Sequence, residues 1–114
     1  MEIEPIYADF NKGERSPEGQ VRLFLTTLGT KQDLERYGIT LREGLVLHLY
    51  SDDATDTGER DDLICTGRAH YDSQRGHWVA LVDGAAMAHV SDIAHQSDHW
   101  ANKVDWTALH TRGG

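Results

Sequence analysis

Over most of the chain apolar and polar residues alternate with a period of two, the signature of half-buried strands. Ile6, Ala8 and Phe10 alternate with Tyr7 and Asp9 behind Pro5, which cannot donate to a ladder, so residues 6–10 read as a first strand beginning at a sheet edge. Residues 11–19 are dense in turn formers, and Val21, Leu23 and Leu25 then alternate with Arg22 and Phe24, which predicts a hairpin with a long tip. At residues 30–38 the period changes. Thr30 can cap, Asp33 sits where it can bond back, Leu34 and Tyr37 share a face, and Gly38 suits a left-handed stop, so one short helix follows strand two. Leu45, Leu47 and Leu49 alternate with Val46, His48 and Tyr50 as the next strand.

Leu63, Cys65, Gly67, Ala69 and Tyr71 mark a longer strand, with Gly67 placed for a bulge or tight bend. Residues 73–76 form a four-residue turn into a strand over 77–82, a loop length that sets Tyr71 opposite Trp78, Ala69 opposite Ala80 and Asp72 opposite His77. A single turn at 83–85 leads to a last short strand over 87–90. Apolar density falls from Ser91 onward. Trp100, Val104 and Ala108 fall at helical spacing, and Thr111 to Gly114 read as a frayed end, so residues 91–114 form a polar tail, either a short docked helix or a mobile segment.

Strands this short leave exposed edges unless the sheet closes, which favours a small antiparallel barrel over residues 1–90. An antiparallel sheet with helices on one face is the other architecture compatible with the pattern. The element order, with its acidic loop inside one hairpin, its glycine in the following strand and its Trp strand before a final short strand, resembles the SH3-like small β-barrel. The stretch through Leu41, Gly44, Tyr50, Asp52, Gly67, Tyr71 and Trp78 is also similar to uncharacterised small bacterial proteins. The paired-Tyr loop and double Trp of peptide-binding SH3 domains are missing, so that family's proline-rich ligand is not implied.

Length and charge narrow the function classes. At 114 residues one domain is the expectation. A formal charge of -8, with only three Lys, disfavours nucleic acid and anionic lipid. Five of those net charges come from residues 52–62, where six acids accompany one Arg. No run approaches the roughly 20 apolar residues of a membrane span, no leader is readable at the first residues, and a single Cys fits a reducing compartment. A cytoplasmic, acidic protein is the expectation.

Three groupings invite chemistry. The loop at 52–62 has the carboxylates of a calcium loop, yet counting from Asp53 places Ile64 where a bidentate Glu belongs. His95 and His99 share the i, i+4 spacing of a zinc helix, but Gln96 stands where a metalloprotease carries Glu, and two ligands do not make a site. Cys65, His70 and Asp72 have the residue types of a thiol nucleophile, base and orienter. On one strand Cys65 and His70 lie about 16 Å apart and on opposite faces. No catalytic residue, metal ligand or cofactor is therefore assigned.

Trp100 and Trp106 are large aromatics in a polar segment, which either dock on the chain or bind a partner. Tyr50 and Phe24 fall by parity on the outward side of their strands and extend such a patch. The sequence thus points to a non-catalytic protein-interaction or assembly module, with contact through Phe24, Tyr50, Trp100 and Trp106 to a protein partner or a second copy. The alternative is a metal-dependent accessory protein or enzyme using the His-rich C-terminal segment.

Overall fold

A computed structural model describes residues 4–106. Its strands are β1 (Ile6–Tyr7), β2 (Gly13–Arg15), β3 (Gln20–Phe24), β4 (Val46–Ser51), β5 (Leu63–Asp72), β6 (His77–Asp83) and β7 (Ala88–His89), with one helix, α1 (Leu28–Arg36), between β3 and β4. They form one mixed sheet in the order β1-β4-β5-β6-β3-β2, with β7 added on β5. The architecture is mainly β, as the two-residue period predicts. Among the described residues nothing pairs β1 with β2, so the sheet is open rather than a closed barrel.

The first hairpin differs from expectation. The Asp9 carboxylate accepts the Asn11 N–H at 2.9 Å and its carbonyl accepts the Lys12 N–H at 3.0 Å, so the chain turns at Asp9 and the strand stops at Tyr7. β1 then pairs in parallel with β4, Ile6 opposite Leu49, and the hairpin partner of β3 is β2 instead.

The β5–β6 hairpin has the predicted register, with Tyr71 opposite Trp78, Ala69 opposite Ala80 and Asp72 opposite His77. Through its first half β5 pairs with β4 and through its second half with β6, and the two ladders overlap at Arg68. Gly67 sits beside that changeover without a bulge. A Cβ there would lie 3.1 Å from the Leu81 carbonyl oxygen and 3.3 Å from Leu49, so the residue's role is close approach of neighbouring elements.

The helix starts earlier than expected. Thr27, not Thr30, is the N-cap, its hydroxyl accepting the Thr30 N–H, and Thr30 and Asp33 are buried for another purpose. At the other end Gly38 adopts φ +65°, its N–H bonds the Glu35 carbonyl and the Ile39 N–H bonds the Leu34 carbonyl, a Schellman stop.

Both sheet faces are used. Odd positions of β3 and β5 and even positions of β6 build the main core, with Leu23, Leu49, Cys65, Ala69 and Ala80 buried and Leu34 and Tyr37 of the helix region packed against them. On the opposite face Tyr50 and Ile64 join Ile93 and Ala101 in a second cluster. Those last two residues belong to two 3-10 turns, Val90–Ile93 and Trp100–Lys103, so the C-terminal segment is docked as far as Trp106. Ala108, Leu109 and the Thr111 to Gly114 end lie outside the described residues.

Candidate functional site

Three of the four aromatic residues singled out from the sequence come together, but in the service of the fold. Tyr50 is on the face opposite the main core, as its parity demands, and yet only 6% exposed because the C-terminal segment covers it. Its ring meets Trp106 at 5.6 Å and Tyr7 at 5.7 Å, both edge to face. Trp100 stacks on His48 at 4.8 Å, and the Trp106 indole N–H donates to the Ala101 carbonyl at 2.8 Å. Parity thus places Tyr50 on the correct face and beside Trp106, and what it does not register is that the C-terminal segment lies over that face. Phe24 is the exception. It lies away from this cluster, edge to face with His77 at 5.1 Å and with the Arg75 guanidinium 5.8 Å from its ring centre.

The acidic loop is a clamp for that same segment. Asp61 accepts both the Ser91 N–H and hydroxyl, at 2.9 and 2.5 Å, and the Asp62 carbonyl accepts the Val90 N–H. Asp53 meets His89 at 2.6 Å, and Arg60 bonds Asp52 at 2.8 Å. The hydrogen bond from His89 holds the Asp53 carboxyl below its usual range and, reciprocally, raises the His89 imidazole. The Asp52, Asp53 and Asp61 carboxylates thus serve three different partners, and among the described residues no three His, Cys, Asp or Glu side chains converge as a metal ion requires. His99 caps the second 3-10 turn by accepting the Ala101 N–H at 3.1 Å.

Cys65, His70 and Asp72 are not brought together. Burial pushes the Cys65 thiol up to about 12, the opposite of an activated nucleophile. His70 pairs with Glu43 at 2.7 Å, and Asp72 serves a different group.

That group forms a cleft of about 270 Å³ between the β2–β3 hairpin and the 73–76 turn, lined by Glu14, Arg15, Arg22, Gln74 and Arg75 among others. Asp72 is buried beneath it. One carboxylate oxygen accepts the N–H groups of Gln74 and Arg75, fixing the turn. The other accepts Arg75 Nη1 at 2.7 Å and Arg22 Nη1 at 3.4 Å. Arg75 Nη2 also pairs with Glu14 on the rim. Two partly exposed guanidiniums are therefore anchored by one buried carboxylate, and one of them, Arg75, is also capped by an exposed carboxylate. No single sequence signal announces this site: its parts come from three strands and a turn, and only the Asp72–His77 register brings Arg75 within reach of β2.

The two sheet edges differ. At β1 the Tyr7 N–H donates to Asp33 at 2.9 Å and the Tyr7 carbonyl accepts the Thr30 hydroxyl at 2.5 Å, so the helix seals that edge. At β2 the bonded pairs include Lys12 with Phe24 and Ser16 with Gln20. Antiparallel alternation then turns the N–H and C=O groups of Gly13 and Arg15 outward, beside the cleft.

Comparison with protein-family models, with curated proteins and with solved structures finds no match to this chain. No helix among the described residues is long and apolar enough to cross a membrane.

Proposed function

We propose that this chain is a cytoplasmic, non-catalytic protein-interaction module that takes an extended segment of a partner along β2, against Phe24. The observation that carries the reading is the asymmetry of the edges: Thr30 and Asp33 occupy the outward groups of Tyr7, while among the described residues no hydrogen bond covers the outward groups of Gly13 and Arg15 on β2. An added strand finds main-chain partners at Gly13 and Arg15 and side-chain contacts on the Phe24 face. Tyr50, Trp100 and Trp106 serve this function indirectly, by holding the C-terminal segment on the other half of that face.

The test is selection of linear peptides from a display library on the full chain, followed by hydrogen exchange of the bound complex. Selected peptides are expected to protect the Gly13 and Arg15 amides and to lose binding to Arg15→Pro, which removes an outward donor. Ligands that instead protect the segment around Trp100, and bind Arg15→Pro unchanged, would overturn the proposal.

A further inference from the structure

Arg22 and Arg75 hold more donors than the described residues use. A guanidinium carries five N–H donors, and the two share a single oxygen of Asp72, with Arg22 at the loose distance of 3.4 Å. Asp72 cannot swing out to follow a ligand, because its other oxygen is held by two backbone N–H groups. The remaining cover is Glu14, an exposed side chain on β2 itself that sits on Arg75 as a ligand carboxylate would. The Phe24 ring lies against Arg75 and limits its swing on one side.

From this geometry we infer that the cleft is a binding site for side-chain carboxylates of an extended acidic segment, and that Glu14 is an internal occupant which such a carboxylate displaces. The inference rests on the β2 docking reading: a strand added at that edge presents every second side chain to the Arg22 and Arg75 face. Arg–carboxylate recognition is planar and bidentate, and each of these two guanidiniums, gathered on one Asp72 oxygen, can offer such a fork. The chain's net charge of -8 does not oppose it at short range. The acidic loop precedes Leu63 and the cleft follows Asp72, at opposite ends of β5, so about 30 Å of strand separates them. The Debye length is about 8 Å at physiological salt.

The experiment is an NMR titration of the labelled full chain with acetyl-Val-Glu-Val-Glu-Val-amide and with its Gln counterpart. The Glu peptide is expected to move the Arg22 and Arg75 Nε–H signals together with the Gly13 and Arg15 amides, and to bind about tenfold more tightly than the Gln peptide. Glu14→Gln is expected to tighten the Glu peptide several-fold and leave the Gln peptide unchanged, and Arg75→Gln to erase the difference between them. Equal binding of both peptides with movement of the β2 amides overturns the carboxylate site and leaves the edge reading standing. Movement of the Arg signals alone supports the site and overturns the edge reading. If sodium phosphate or acetate moves those signals as far as the Glu peptide does at the same concentration, the cleft takes adventitious anions only and the inference fails.

Discussion

His89 Nε2 lies 2.6 Å from Asp53 Oδ2, and this contact ties the acidic loop to the start of the C-terminal segment. Asp61 and Asp92 add to the negative field around the imidazole, which the Asp53 bond raises above its ordinary 6.5. A raised histidine contributes stability that is complete below 6.5 and fades as pH rises through the folded value. Asp53, lowered from 3.8, contributes stability that is complete above 3.8 and fades as pH falls through its depressed value. The tie is therefore fully present between those two ordinary values. His89→Asn should lower the urea midpoint more at pH 5.5 than at pH 8.5. An equal loss at both would show that the pair does not titrate as described.

His48 works in the opposite sense on the same segment. Burial beneath Trp100, and secondarily the proximity of His99, depresses its imidazole below 6.5. Its contribution is complete above 6.5 and is lost as pH falls, because charging the ring means desolvating a cation under an indole. His48→Phe keeps an aromatic face for Trp100 and removes the titration. Its urea midpoint, relative to the native chain, should improve on going from pH 8 to pH 5. No change in that difference would place His48 in water.

The sealed β1 edge makes a third prediction. Thr30→Val preserves shape but leaves the Tyr7 carbonyl without its donor, a cost of about 1–3 kcal/mol. The same change uncovers one outward group of an edge strand, so self-association should rise with the loss of stability. Urea denaturation and sedimentation velocity measure the two separately. A stable, strictly monomeric Thr30→Val protein would mean that the helix does not guard that edge.

Much of this architecture is legible from alternation alone, because strand period and hairpin loop length are local. The register of Tyr71 with Trp78 follows from counting the turn, and Gly38 ends the helix for a reason visible in its own residue type. What is not legible is long-range. The parallel pairing of Ile6 with Leu49 depends on an Asx turn at Asp9 that shortens the first strand. The fate of Tyr50 depends on residues some fifty positions away. The Arg22 and Arg75 pair is joined by a buried carboxylate fifty positions from Arg22, which no periodicity reveals.

Gly67 offers a local test of the changeover between the two halves of β5. An alanine there sets a methyl 3.1 Å from the Leu81 carbonyl oxygen and 3.4 Å from the Ala80 Cβ, both on rigid strand. Overpacking of this kind costs about 1–3 kcal/mol. Gly67→Ala should therefore lower stability by that amount, although alanine favours the strand conformation more than glycine does. A neutral or stabilising change by urea denaturation would show that β5 and β6 can part without loss.

Trp106 decides whether the C-terminal segment belongs to the folded unit. Its ring meets Tyr50 at 5.6 Å and Trp100 at 6.3 Å, and its N–H is bonded to Ala101 within the segment. Full burial of a tryptophan is worth about 3–5 kcal/mol on truncation to alanine, and Trp106 is only partly buried, so Trp106→Ala should cost about 2 kcal/mol. Because the three rings form one cluster, Trp100→Ala and Trp106→Ala should not add; a coupling of about 0.5–1.5 kcal/mol is expected from the double-mutant cycle. Additive losses, or a Trp106→Ala change below about 0.5 kcal/mol, would mean that the segment does not fold with the sheet.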